Sequence, residues 1–368
     1  MPATRSLPGP RGGVAEALRA GPVWFVARGR PGLGRVTETI SLSLQLADWG
    51  GHPRIRLHTS PQALEFARSI LGQGVKAFDL GGGPDLQQAF IDTEPLHRLL
   101  EQTSRLRPAA VVVNGFPLCL PLLRWSGDAR IVAMANLHDI DNPRHTRGAR
   151  LLQQALHGAA DLVLVGELRR GWRRTRLDSL PVLRIPSLVR ADARDSGLGP
   201  LPGAEVVAVV GGGSHGDPEM ERSTRAILGA LDRAVLSGTL PSCVVFGGSE
   251  LPLLGSHYPH LSMAEDPGES LRVMARAELV IARGGRGTLA EILASRRRAV
   301  VIAAESATLR GAEQASNIAA AARLSPAVVP LAISSLAELA RACRLAAAAR
   351  PARWAPGNEI LEAALSGL

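Results

Sequence analysis

The chain has 368 residues, of which 46% are hydrophobic and only 3% aromatic, and it carries a formal net charge of +9, nearly all of it from arginine. That length exceeds a single core and suits two domains of about 150–180 residues, while no run approaches the ~20 apolar residues of a membrane-spanning helix. The basic residues are scattered, no nucleic-acid-binding motif is present and few aromatics exist to stack on bases, so nucleic acid is not an expected partner.

Residues 1–18 are rich in Pro, Gly and Arg and read as a disordered tail rather than a signal peptide. A buried-strand pattern follows at 23–27, then a glycine loop at 28–35 and an apolar-periodic helix over 36–49. Further strands are predicted at 54–59, 110–114, 131–135 and 162–165 with helical stretches between them. Such alternation implies a parallel sheet wrapped by helices, with ligands gathering at the C-terminal ends of its strands. This first domain spans 19–188. The basic run 169–176 reads as a solvated face, as does Arg296 to Arg298.

Residues 189–204 lie in a stretch of Pro, Gly, Asp and Ser without periodicity and form the predicted linker. The pattern restarts with a strand at 205–210, a glycine loop at 211–216 and a helix from Pro218. Strands near 243–246, 279–282 and 299–303 complete a second Rossmann-like domain, 205–355. Residues 356–368 hold a closing helix near 359–365 that can cross back onto the first domain. Cys119, Cys243 and Cys343 show neither zinc spacing nor a disulfide framework and read as buried free thiols of a cytoplasmic protein.

The most informative stretch is 282–317. An apolar strand runs into Gly284, Gly285, Arg286 and Gly287, and the helix that follows carries Thr288 and Glu291. Backbone N–H groups exposed at such a helix start attract a phosphate. Glu291, one turn inside, is placed to meet the hydroxyls of a ribose joined to it. One glycine loop is a weak signal; three, at 29–34, 211–216 and 284–287, each between a strand and a helix, are stronger.

These loops resemble those of the two-domain GT-B nucleotide-sugar glycosyltransferases, especially the MurG-like branch. The resemblance rests on Pro31-Gly-Leu-Gly-Arg-Val36, Gly211-Gly-Gly-Ser-His-Gly216, Ala282-Arg-Gly-Gly-Arg-Gly-Thr-Leu-Ala-Glu291 and Glu313-Gln-Ala-Ser-Asn317. It is specific over about 205–325 and a matter of layout in the first domain. It implies two Rossmann-like parallel-sheet domains facing a cleft. Gly213, Ser214 and the 284–288 turn would hold the donor diphosphate, and Glu291 its ribose. Gln314 and Asn317 would face the sugar, and the segment beginning at Met263 would border a uracil base. His215 either touches phosphate or sugar or fills its loop. Arg283 reads as a buttress of the turn, while Arg286 and Arg310 can add positive charge. Without an Asp-x-Asp motif after a strand, no metal is expected, and no cofactor beyond the UDP-sugar donor.

On the acceptor side the candidates are Gly34, Arg35, Asn114 and Phe116. Many relatives place a histidine where this chain has Arg35, and a guanidinium is no base at neutral pH. His138, with Asp139 or Asp141, is the replacement candidate; the same residues can equally cap the next helix. Glu313 with Arg310 is either a surface ion pair or part of an altered sugar pocket, in which Arg310 or Arg35 meets a uronic-acid carboxylate. The resemblance therefore implies metal-independent, inverting transfer from a UDP-sugar, with UDP-glucuronate as one option. The acceptor would be a small polar molecule such as a nucleobase, in specialised metabolism such as antibiotic biosynthesis. A nucleotide-sugar hydrolase, a lipid-acceptor transferase and a non-catalytic binding subunit stand as alternatives. Trp172 among arginines hints at peripheral membrane contact. The acceptor and the oligomeric state stay open.

Overall fold

The computed structural model describes residues 13–28, 34–49, 52–58, 67, 78–79, 93–140, 145–177, 180–190, 206–211, 218–247, 251–264, 269–303 and 309–366. They build two sheets. The first contains β1 (Pro22–Arg28), β2 (His52–His58), β3 (Phe78–Asp79), β4 (Ala110–Asn114), β5 (Arg130–Ala135), β6 (Leu162–Glu167), β7 (Arg173–Leu177) and β8 (Leu180–Pro186), in the order β3-β2-β1-β4-β5-β6-β8-β7. All pairings are parallel except β7 with β8. The second contains β9 (Val206–Gly211), β10 (Cys243–Gly247), β11 (Ser262–Met263), β12 (Leu279–Arg283), β13 (Arg298–Ala303) and β14 (Val328–Ala332), in the order β11-β10-β9-β12-β13-β14, parallel throughout.

Alternation along the strands explains why both sheets are covered on two faces. Val23, Phe25 and Ala27 join one core with Val112, Met134 and the helix Gly34–Asp48, while Trp24 and Val26 join another with Val111, Val113 and the helix Cys119–Ser126. Val206 and Ala208 likewise face one layer and Val207 the other. Successive side chains point to opposite faces, and a parallel strand buried on both sides therefore reads as a continuous apolar run.

Chain order reverses between β1 and β4 in the first sheet, and between β9 and β12 in the second. Loops leaving such neighbouring strands diverge and open a crevice at their C-terminal ends. Arg35 and Phe116 lie at one crevice; the 284–287 turn lies at the other.

Several sequence expectations need correction. Residues 14–18, the end of the predicted tail, belong to the helix Val14–Ala20, which seats Leu18 in the first core, while residues 1–12 lie outside the described residues. The run 169–176 is in part an edge strand, β7, whose Arg173 and Arg174 are exposed. The short edge strands β3 and β11, together with β8 and β14, were missed. The closing helix Gly357–Ser366 places Leu361, Ala364 and Leu365 in the first core; its Gly357 N–H donates to the Ser187 carbonyl at 3.0 Å, and Asn358 Oδ1 accepts from the Val189 N–H at 2.8 Å. All three cysteines are buried and free, and burial pushes the Cys243 thiol up to about 12 and the Cys343 thiol to about 11.

Asp161 ties the base of β6 to its neighbours. It accepts from Arg124 at 2.8 and 3.2 Å, from Arg130 at 3.2 Å and from the Ile131 N–H at 2.7 Å. Burial alone would raise its pKa, but the hydrogen bonds from Arg124 and Ile131 and the charges of Arg124 and Arg130 outweigh it and hold the carboxyl below the usual range. A depressed folded pKa stabilises the fold above the unfolded value of about 3.9, and that stability is lost as pH falls through the folded value. Asp161→Asn is expected to cost about 1–3 kcal/mol at pH 7 and to flatten the acid limb of a urea-midpoint profile below about pH 4. An unchanged acid limb would contradict this role.

Candidate functional site

The donor-side turn is built by close approach. Gly285 precedes the helix Arg286–Ala294 without a side-chain cap, so the first N–H groups of the helix have no capping oxygen. Gly284 packs against the helix Leu309–Leu324: a Cβ there would lie 2.8 Å from the Gln314 carbonyl oxygen and 2.9 Å from the Ile318 side chain. Asn317 Nδ2 donates to the Gly284 carbonyl at 3.2 Å, and both Asn317 and Gln314 are buried. Gln314 Oε1 has no partner among the described residues. Thr288 is partly buried one turn in, beside Gly287, and Met263 ends the edge strand β11.

Arg283 is the buttress expected of it. From the end of β12 its Nη1 donates to the Val210 carbonyl at 3.1 Å and to Thr224 Oγ1 at 3.0 Å, joining β12, β9 and the helix Pro218–Leu236. Arg286 departs from expectation. Its guanidinium crosses to the first sheet, where Glu38 holds it at 2.7 Å and the Gly166 carbonyl accepts a further bond. Its charge is thus balanced by a carboxylate 7% exposed. Glu291, also 7% exposed, accepts from Arg190 Nε at 2.9 Å. Glu313 accepts from Asn136 Nδ2, so it forms a bond between the two halves. The Arg310 side chain, Gly213, Ser214 and His215 lie outside the described residues.

Among the described residues, polar contacts between the two halves join Arg286 with Glu38 and Gly166, Arg190 with Glu291, Asn136 with Glu313, and Trp354 Nε1 with the Arg169 carbonyl. Glu38, Arg190 and Asn136 were missed as cleft residues. A carboxylate, Glu38, within the helix read as apolar-periodic was the available signal for the first.

On the first-sheet side, Asn114 is 1% exposed and its Nδ2 donates to the Arg35 carbonyl at 3.0 Å and to Thr39 Oγ1 at 3.3 Å. It fixes the start of the helix rather than offering its amide to a ligand. Gly115 follows with φ +82°, and a Cβ there would fall 2.4 Å from Arg35 Cδ, so the arginine lies directly across this glycine. Gly34 is exposed, with open space where a Cβ would stand. Phe116 and Arg35 line a cavity of about 130 Å³ together with His145, Gln153 and His157. These last three were missed, although Gln153 and His157 stand four residues apart on one face of the helix Arg147–His157. His138 lies on the single turn Leu137–Ile140, two residues after Asn136, and its buried Nδ1 has no partner among the described residues. The Asp139 side chain and Asp141 are outside the described residues.

Two parallel α/β sheets meeting across a cleft at their switch points define the GT-B fold. Within it, residues 269–335 match the glycosyltransferase family 28 C-terminal domain. MurG of Acinetobacter baumannii is similar over 94% of this chain and 99% of its own, at 17% identity and a TM-score of 0.53. The glycosyltransferase SnogD of Streptomyces nogalater is similar over 94% and 98%, at 17% identity and a TM-score of 0.55. The UDP-GlcNAc 2-epimerase of Neisseria meningitidis, solved with UDP-GlcNAc bound, is similar over 94% and 100%, at 13% identity and a TM-score of 0.56. No curated protein is detectably similar in sequence. The domain match and the MurG-like GT-B fold support a glycosyltransferase-type enzyme. The epimerase is a reminder that one fold hosts more than one reaction.

Proposed function

We propose that the protein transfers a sugar, with inversion and without a metal, from a UDP-sugar to a small polar acceptor. The observation that carries this reading is the pairing across the cleft. A glycine turn, an uncapped helix start, Glu291, Gln314 and Asn317 stand on the second sheet, and a cavity beneath Arg35 opens on the first. In this reading the 284–288 turn, with Ser214 from the preceding glycine loop, takes the diphosphate through backbone N–H groups. Glu291 accepts from the ribose hydroxyls; a carboxylate has room for several hydrogen bonds, so the Arg190 contact orients it without exhausting it. The buried amides of Gln314 and Asn317 face the sugar.

His138 is the proposed base, since Asn136 just before it already reaches the donor half through Glu313. Transfer then breaks the bond between sugar C1 and the diphosphate oxygen and forms one between C1 and the acceptor heteroatom. The acceptor proton passes to the base and UDP leaves. The finer donor proposal is an acidic sugar, UDP-glucuronate. It rests on Arg310 in the first turn of the helix that carries Gln314 and Asn317.

The experiment is product analysis in EDTA with UDP-glucose, UDP-N-acetylglucosamine and UDP-glucuronate, each with and without a pyrimidine acceptor. Expected is acceptor-dependent release of UDP with an inverted glycoside as product, fastest with UDP-glucuronate. Free sugar formed at full rate without acceptor would establish hydrolysis instead. Preference for a neutral donor would discard the acidic-sugar proposal alone.

A further inference from the structure

The cavity beneath Arg35 has a composition that selects among acceptors. Its volume, about 130 Å³, is close to that of a cavity of ~150 Å³ known to hold benzene, so it accommodates one six-membered ring. Val113, Phe116, Leu120 and Met134 supply apolar walls suited to the faces of a flat ring. Arg35, His145, Gln153 and His157 supply its polar side chains. Gln153 Oε1 and His145 Nδ1 are both buried, and neither has a hydrogen-bond partner among the described residues. Buried polar atoms are ordinarily satisfied, and those that are not call for an explanation such as a missing ligand. Oε1 can only accept, so it asks for an N–H or O–H on the ring. His145 Nδ1, when it carries the imidazole proton, donates, so it asks for a carbonyl oxygen on the same ring.

His157 sets the floor. It is 4% exposed, and its Nδ1 lies 2.8 Å from the Gln153 backbone carbonyl, an oxygen that can only accept. Nδ1 therefore carries the proton, which fixes the ring beneath the Gln153 side chain. The site is thus built from a switch-point loop on one side and the helix Arg147–His157 on the other, with its polar atoms preset.

Resting on the transferase reading above, we propose that this cavity is the acceptor subsite and takes a single flat six-membered heterocycle bearing an N–H donor and a carbonyl oxygen, the cyclic-amide class to which pyrimidine bases belong. Gln153 and His145 are its specificity-determining residues. A hydrocarbon ring would leave both polar atoms unmet, and adenine lacks the carbonyl oxygen.

Calorimetric titration of the full chain with uracil, cytosine and 2-pyridone, with toluene and adenine as controls, tests this with and without saturating UDP. The cyclic amides should bind at one site, at least tenfold more tightly than toluene or adenine. Gln153→Leu, close in volume, should weaken them tenfold or more, leave toluene unchanged or tighter, and leave UDP binding intact; His145→Ala should act in the same direction. Equal binding of all rings, or an unaltered uracil affinity in both variants, would overturn the proposal. If UDP binds and no ring does, the subsite falls while the transferase reading stands. If rings bind as described and UDP does not, the subsite stands and the transferase reading falls.

Discussion

Glu291→Ala is expected to lower the stability of the protein by about 3–5 kcal/mol, because it leaves Arg190 buried without its counter-charge. The Arg190 and Glu291 side chains are only 7% and 9% exposed, and their contact is 2.9 Å long. Taking two charges out of water is costly, and their attraction repays that cost only while both are present. Removal of one partner therefore costs far more than the pair is worth, a large share of the 5–15 kcal/mol that typically holds a domain together. Urea unfolding at pH 7 measures it. The double replacement Arg190→Met with Glu291→Leu should recover most of the loss, since an apolar pair of similar volume is often neutral. A single variant within about 1 kcal/mol of the parent would show that the pair is solvated in solution.

Gly284→Ala should be nearly as damaging, and for a steric reason. The added methyl would meet a backbone oxygen at 2.8 Å, and a carbonyl of a sixteen-residue helix cannot swing aside as a side-chain tip can. The turn and the helix Leu309–Leu324 must separate, which weakens the 3.2 Å bond from Asn317 and moves Gln314 with it. Overpacking of this kind costs about 1–3 kcal/mol. Donor affinity should fall at least about tenfold, the equivalent of ~1.4 kcal/mol. Gly287→Ala is the internal control: nothing lies within 4 Å of its Cβ position, and alanine favours the helix it sits in. Equal behaviour of the two variants in a UDP-sugar titration would contradict the packing account.

The strands that were legible in the sequence share one property, burial on both faces. β4, β5 and β12 are continuous apolar runs because helices cover the sheet above and below, and their limits were read to within a residue or so. Most of the strands that escaped lack that signature; β8, buried on both faces, is the exception, its apolar run broken by Pro181 and Arg184. β7 is an edge strand of three arginines, a threonine and a leucine, β14 contains Pro330, and β3 and β11 have two residues each. At the site, residues local to one turn were legible: Gly284, Gly285 and Glu291 announce themselves by spacing. What spacing does not carry is the partner across the cleft. Arg190 stands 101 positions before Glu291, Glu38 stands 248 before Arg286, and Asn136 stands 177 before Glu313. Asn114 shows the converse, a polar residue at the end of a strand whose amide holds the Arg35 backbone instead of a ligand. The cavity itself exists only because Gln153 and His157 of the helix Arg147–His157 come together with Val113 of β4 and with Ala133 and Met134 of β5, which no local pattern encodes.

The central claim is that the second sheet grips a nucleotide sugar by its diphosphate and, through Glu291, its ribose. Titration of the native protein with UDP and with 2′,3′-dideoxy-UDP in EDTA addresses it most directly. The account predicts one UDP site per chain without added metal, and at least tenfold weaker binding of the dideoxy analogue, because the buried carboxylate then lacks its hydroxyl donors. No UDP binding, or equal affinity for the two nucleotides, would contradict it.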